Sequence, residues 1–244
     1  MRNDLEKSLN TLRNLDLSKF PDEQVLRELK NFGANPHIEI TLSPSNQIFR
    51  ARLNENNEHY YSKSQLTYKP QQFNFKYQRA STPKRTMFYG SILPFNKQPE
   101  DLDLVQATPL LEVIPWIDNP LTKGIQTLTF SRWTVFRDIK LLAILQHNKF
   151  YNKSSFTREV MDTYNTFLNN NPNNYSDSLR CISFLADQFS KKVQQPFDYE
   201  YLISALFSEL VIESGYDGIL YPSVRSDGSS YNVAITPYAA DTKT

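Results

Sequence analysis

The sequence predicts an α+β domain, and three observations carry that expectation. Several short runs alternate apolar and polar residues, most clearly residues 47–53. Other runs place apolar side chains at helical spacing, chiefly between residues 151 and 214. The chain has 244 residues, enough for one continuous core, or for one domain with an appendage.

Leu5, Leu9 and Leu12 recur at helical spacing, as do Val25, Leu26 and Leu29, which predicts helices over 3–15 and 21–32. Pro21 suits a first helical turn and Gly33 a helix stop. These two helices form a predicted extension, 1–35, packed on a main domain, 36–244. Strands follow at 38–42 and 47–53. In the second, Ile48, Arg50 and Arg52 share one face and Phe49, Ala51 and Leu53 the other. Two arginines on one strand face either lie in solvent or frame an anion site, and the default is solvent. Residues 54–78 read as a long polar and aromatic loop, and 86–91 as a strand in which Gly90 hints at a close backbone approach. A helix, or a helix then a strand, is expected over 104–113. It carries Glu112 among Leu110, Leu111, Val113 and Ile114, either facing solvent or held in a partly dry site. A strand at 125–130, helices at 151–169, 179–193 and 199–214, and strands at 219–221 and 231–236 complete the chain.

Composition excludes more than it indicates. With 27 basic and 26 acidic side chains the formal charge is +1, so no electrostatic argument favours nucleic acid or a membrane surface. The one cysteine, Cys181, cannot make an internal disulfide, and mid-helix among apolar neighbours it reads as packing. Three scattered histidines, His37, His59 and His147, make no metal site. No run is long and apolar enough for a signal peptide or a membrane span, so a cytoplasmic protein is expected.

The most informative stretch is 215–225. Gly215 caps a helix, Asp217-Gly218 turns, Ile219 to Tyr221 form a strand, and Pro222 ends it, leaving Ser223 and Arg225 at its edge. On local features this is a polar ligand site or a plain loop.

The order of motifs adds to this reading. Phe49-Arg50-Ala51-Arg52 is followed by Arg79-Ala80-Ser81-Thr82-Pro83, then Phe88-Tyr89-Gly90-Ser91 and Thr108-Pro109-Leu110-Leu111-Glu112-Val113. Arg137 to Leu142, a helix with Glu209, Tyr216 to Arg225 and Asn232-Val233-Ala234 come next. This succession, from about Ile48 to Pro237, resembles the RES domain family, named for arginine, glutamate and serine. The resemblance implies an ADP-ribosyltransferase-like fold: a split, curved mixed sheet with flanking helices and a cleft for NAD+. It implies an NAD+-consuming toxin or defence effector, a glycohydrolase or phosphorylase, paired with an Xre-type antitoxin. NAD+ is then the substrate, with no separate cofactor. By position, Arg50 and Arg79 look like the arginines lining the NAD+ pocket, Tyr89 like the tyrosine near the nicotinamide, Glu112 like the acidic residue and Ser223 like the signature serine.

The second block departs from the family pattern, with Ser81 where asparagine usually stands and Lys84-Arg85 near the expected glycine. The long spacing from Tyr89 also makes Glu100 a competitor to Glu112. Other readings stay open, namely ADP-ribosyl transfer onto a macromolecule, or a catalytically weak domain binding a nucleotide or partner. The N-terminal helices are an antitoxin-docking surface, a homo-oligomer surface, or a cap on the sheet.

The residue types suit NAD+ independently of the name. Its nicotinamide leaves as a neutral base from a cationic glycoside, so a carboxylate that stabilises an oxocarbenium-like transition state matters more than an acid. Arginine forks match a pyrophosphate, and an aromatic ring suits the cationic nicotinamide.

Overall fold

The computed structural model describes residues 2–32, 37–54, 58–92, 99–114, 121, 123–145, 148–170, 175–194 and 196–244, with the side chains of 2–3, 99–105 and 148 left aside. Gly33, His147 and the Glu100 side chain fall outside that description.

Helices α1 (Arg2–Asn14) and α2 (Asp22–Lys30) form as their leucine spacing predicts. Strands β1 (Ile38–Leu42) and β2 (Gln47–Leu53) have their expected bounds. The long loop contains a single turn of helix, α3 (Lys63–Leu66), closed by a Ser62–Gln65 capping box. Then come β3 (Phe88–Ile92), α4 (Pro99–Val113), β4 (Leu128–Thr134) and β5 (Ile139–Ala143). The strand expected at 125–130 is therefore displaced toward the C-terminus, and Ile125 stands fully exposed ahead of it. Helix α5 (Ser155–Asn169) begins where the Ser154 hydroxyl accepts the Thr157 N–H. Helices α6 (Tyr175–Phe189) and α7 (Leu202–Glu213), strands β6 (Gly218–Pro222) and β7 (Tyr231–Ile235), and a final α8 (Pro237–Thr242) complete the fold. Gly215, at φ +94°, ends α7 as read from the sequence, with the Tyr216 N–H returning to Val211 O and the Gly215 N–H to Ile212 O.

The strands form one seven-stranded sheet in the order β1-β5-β6-β7-β3-β2-β4, antiparallel except for the parallel β5–β6 pair. The architecture is α+β, as expected. This order cannot be flat. β1 and β2 stand five strand spacings apart, about 24 Å, yet the link from Leu42 to Gln47 spans at most about 18 Å. The same holds for β4 and β5, joined through residues 135–138. The sheet must curl until its two ends approach, with β1–β2 and β4–β5 acting as two bent strands. Backbone bonds Ser45 N–Val135 O and Val135 N–Asn46 O, both 2.9 Å, tie the two bends together. Between β2 and β3 the ladder is only two register pairs long, Ile48↔Ile92 and Phe49↔Ser91. That short junction is where the sheet splits.

Alternation along the central strands sends side chains to two cores. Leu141, Leu220, Val233 and Ile235 point into the concave core with Leu42, Ile48, Phe88 and Trp133, which α8 closes with Ala239 and Ala240. Leu142, Ile219, Tyr221 and Ala234 point to the other face, packing on α6 and α7. Leu5, Leu9, Leu12, Val25 and Leu29 of α1 and α2 belong to this second core. Each fully buried leucine or phenylalanine contributes about 1.5–3 kcal/mol. No described helix is long and apolar enough to cross a membrane.

Candidate active site

Pro222 is the last residue of β6, so Ser223 sits where the chain leaves the sheet. The turn after it is tightly bonded. Ser223 N donates to Ser230 O, Gly228 N donates to Ser223 O, both at 2.8 Å, and Ser226 N approaches Ser223 Oγ at 3.3 Å. Gly228 is required, because it takes φ +79° and the Phe150 ring lies 2.3 Å from where a Cβ would stand. With its oxygen receiving the Ser226 N–H, the fully buried Ser223 hydroxyl donates to Glu112 Oε1 at 2.7 Å.

Glu112 is on the last turn of α4. The same Oε1 accepts a second bond, from Asn232 Nδ2 at 2.7 Å, and Asn232 Oδ1 accepts from Ser91 Oγ at 2.9 Å. One helical turn earlier, Thr108 Oγ1 donates to Ser230 Oγ at 2.6 Å. Residues four apart share a helix face, so α4 meets the 223–230 turn through Thr108 and Glu112 together. The partly dry site entertained for Glu112 is not observed. The residue is exposed, with one oxygen pinned from the protein side. The backbone of Glu100 lies on the same helix twelve residues earlier, about 18 Å along its axis.

Arg50 departs from the solvent default. Past the short β2–β3 ladder, its guanidinium Nη1 donates to Tyr89 O at 2.6 Å, and its Cζ lies 5.2 Å from the Phe88 ring centre. Burial, then the neighbouring Arg52 charge, pull its pKa down to about 10. Its Nε is buried with no hydrogen-bond partner among the described residues. Arg52 does remain exposed, over the Tyr60 ring.

Arg79 has its fork turned to backbone. Nη1 donates to Phe189 O and Nη2 to Lys191 O, at the C-terminal end of α6, where a cation meets unsatisfied carbonyls. Its Cζ lies 5.2 Å from the Tyr201 ring centre and 5.8 Å from that of Tyr221. The half-buried Tyr89 is fixed through its hydroxyl, which accepts the Ala80 N–H at 3.1 Å and meets Ser81 Oγ at 2.8 Å. Burial raises the Tyr89 pKa to about 12, against the opposing pull of Ser81, Ala80 and Arg79. Ser81, the departure in the second block, thus holds Tyr89.

Tyr221 links these groups. Burial pushes its pKa well above the tyrosine range, reinforced by Tyr89, Glu112 and Tyr201 and opposed by Arg79. Arg79, Tyr89, Tyr201, Tyr221 and Glu112 therefore share one electrostatic neighbourhood, and Ser223 and Asn232 are bonded into it. Arg50 joins only through the Tyr89 backbone. Sequence reasoning missed the roles of Asn232, Tyr221, Tyr201 and Thr108. Asn232 had a signal, as the one amide in an otherwise apolar buried strand. His59 is exposed and Cys181 is buried in the helical core, so neither joins the site. A cavity of about 1210 Å³ lies elsewhere, among α2, β1, β5, α5, α6 and α7, with mainly apolar walls and none of these site residues.

A curled α+β sheet thus presents, on the face that carries Tyr221 and Ala234, a carboxylate held by a serine and an asparagine. The family follows from comparison: the RES domain model matches residues 107–243, more than half the sequence. The chain belongs to the RES domain family. The match takes in Glu112, Ser223 and Asn232 and leaves out Arg50, Arg79 and Tyr89. No curated protein and no solved structure matches.

Proposed function

We propose that this protein cleaves the nicotinamide–ribose bond of NAD+. The observation that carries the proposal is the Glu112 carboxylate, exposed yet with Oε1 fixed by Ser223 and Asn232. A carboxylate so held stands ready to stabilise positive charge on a ribose without rearranging. The bond from C1′ to the nicotinamide nitrogen breaks, its electron pair stays with the nitrogen, and neutral nicotinamide departs. Water or phosphate adds at C1′ and gives up a proton. Glu112 stabilises the oxocarbenium-like transition state, and Ser223 keeps the carboxylate in place. The buried, unpartnered Nε of Arg50 suits a phosphate oxygen. The rings of Tyr89, Tyr201 and Tyr221 suit a cationic nicotinamide. The family extends the proposal to a cytoplasmic toxin or defence effector with an Xre-type antitoxin.

One observation favours a second reading, that of a domain that binds a nucleotide and turns it over weakly. The Arg79 fork is already engaged by Phe189 and Lys191 carbonyls, leaving less of it for a pyrophosphate.

The test is a time course of purified protein with NAD+, with and without phosphate, measuring nicotinamide, ADP-ribose and phosphorylated product. Nicotinamide release that Glu112→Ala abolishes is expected. Tight NAD+ binding with no release selects the second reading, and label retained on a macromolecule redirects the chemistry to ADP-ribosyl transfer.

A further inference from the structure

We infer that Asn232 is the positioning residue that sets which way the Glu112 carboxylate faces during NAD+ cleavage. The inference rests on the proposed activity. An exposed glutamate on the last turn of a helix has many rotamers open to it, so a carboxylate with a fixed task there needs a holder. Ser223 supplies one bond, but from a hydroxyl that can rotate. Asn232 supplies the other from a rigid place. It lies in β7 between its register partners, Ser91 on β3 and Tyr221 on β6. Its side chain is buried and committed at both ends, Nδ2 to Glu112 and Oδ1 to Ser91. The assignment is self-consistent, because a flipped amide would turn its oxygen toward the carboxylate. Tyr231, Val233, Ala234 and Ile235 around it are all buried core residues, so packing alone does not call for an amide here.

Replacing Asn232 with aspartate turns this link into a measurable signal. Two carboxyl groups at hydrogen-bond distance cannot both ionise freely and titrate as a coupled pair that retains a proton to higher pH. Other ionisable groups of this neighbourhood are Tyr221 on β6, Tyr89 on β3, and Arg79 and Tyr201 beside Tyr221; on β2, which packs on α4, Arg50 bonds to Tyr89 O and Arg52 lies over the Tyr60 ring. The remaining acids of α4, Glu100, Asp101 and Asp103, lie toward its far end.

The experiment compares wild type with Asn232→Asp, Asn232→Ala and Ser91→Ala. It measures kcat and KM for NAD+ against pH, and follows the glutamate side-chain carboxyl by ¹³C NMR, assigned with Glu112→Gln. Expected are a kcat loss of up to about 100-fold in Asn232→Ala with KM little changed, a smaller loss in Ser91→Ala, and an Asn232→Asp pH profile and Glu112 titration displaced upward together. An Asn232→Asp titration that overlays the wild type overturns the inference, as does undiminished kcat in Asn232→Ala. Should Asn232→Asp fail to fold, an unchanged kcat in Ser91→Ala and Asn232→Ala overturns it equally. A wild type inactive on NAD+ defeats the proposed activity separately, and the NMR titration then decides the Asn232–Glu112 link by itself.

Discussion

The Glu112–Ser223 contact predicts a measurable coupling energy. Ser223→Ala removes the 2.7 Å donor to Glu112 Oε1 and leaves the Ser226 N–H without its side-chain acceptor. Glu112→Ala removes the acceptor of both Ser223 and Asn232. In a double-mutant cycle the Asn232 loss occurs with and without Ser223, so it cancels and leaves the Ser223–Glu112 pair. Hydrogen bonds to charged groups contribute about 1.5–3 kcal/mol. Ser223 is fully buried but Glu112 is exposed, so water competes for the carboxylate, and we expect coupling of about 1–2 kcal/mol. Urea unfolding of the four proteins, followed by circular dichroism, gives the four stabilities. The single Ser223→Ala variant should lose about 1–3 kcal/mol, since the half-buried Ser226 N–H also loses a partner. Additivity within about 0.5 kcal/mol would refute the reasoning, because it would mean that Glu112 is not held by Ser223 in solution.

Three further outcomes follow from the same geometry. Gly218→Ala puts a Cβ 2.1 Å from Ala234 O between β6 and β7, and should cost about 3 kcal/mol, a fall in Tm of roughly 6–12 °C by calorimetry. Arg79→Lys cannot bridge the Phe189 and Lys191 carbonyls at once, so α6 should lose about 1–2 kcal/mol of end stabilisation, read as faster amide exchange in its last turn. Burial lowers the Arg50 pKa to about 10, so folded Arg50 loses its charge before it would in the unfolded chain. Its desolvation cost is fully present below that value, and stability gains as pH rises from there toward the ordinary arginine range. Affinity for an anionic nucleotide moves the other way and should weaken as pH passes about 10, which calorimetric titration checks against Arg50→Gln.

The local elements were legible because their signals are local. Alternation in Gln47–Leu53, leucine spacing in α1 and α2, and Gly215 as a helix cap each depend on a few neighbouring residues. Strand order was not, since nothing near Phe88 announces that β3 will lie between β7 and β2. The site divides along the same line. Ser223 could be placed at a strand end from Pro222 alone. The two arginines of β2 could be put on one face, but their different fates follow from where the β2–β3 ladder stops. For Glu112, the apolar neighbours left a solvent-facing and a partly dry position both open, and the first is observed. Leu110 and Leu111 point about 200° and 100° around the helix from it, so their character says little about its side. Arg79 holds a helix end more than a hundred residues away in sequence, a pairing that no local pattern carries.

The position of β7 has a consequence for how the chain comes into being. Ser91, Glu112 and Ser223 are all made before Tyr231–Ile235, yet β3 and β6 meet only through that strand. A nascent chain that has emerged as far as residue 230 has every arginine, tyrosine, serine and glutamate of the candidate site, but β1-β5-β6 and β3-β2-β4 have no strand to join them. Long-range strand pairing of this kind forms late and cooperatively. During translation, then, the site does not strengthen by degrees as residues are added. It is completed only with the strand that carries Asn232, which pairs with both β3 and β6.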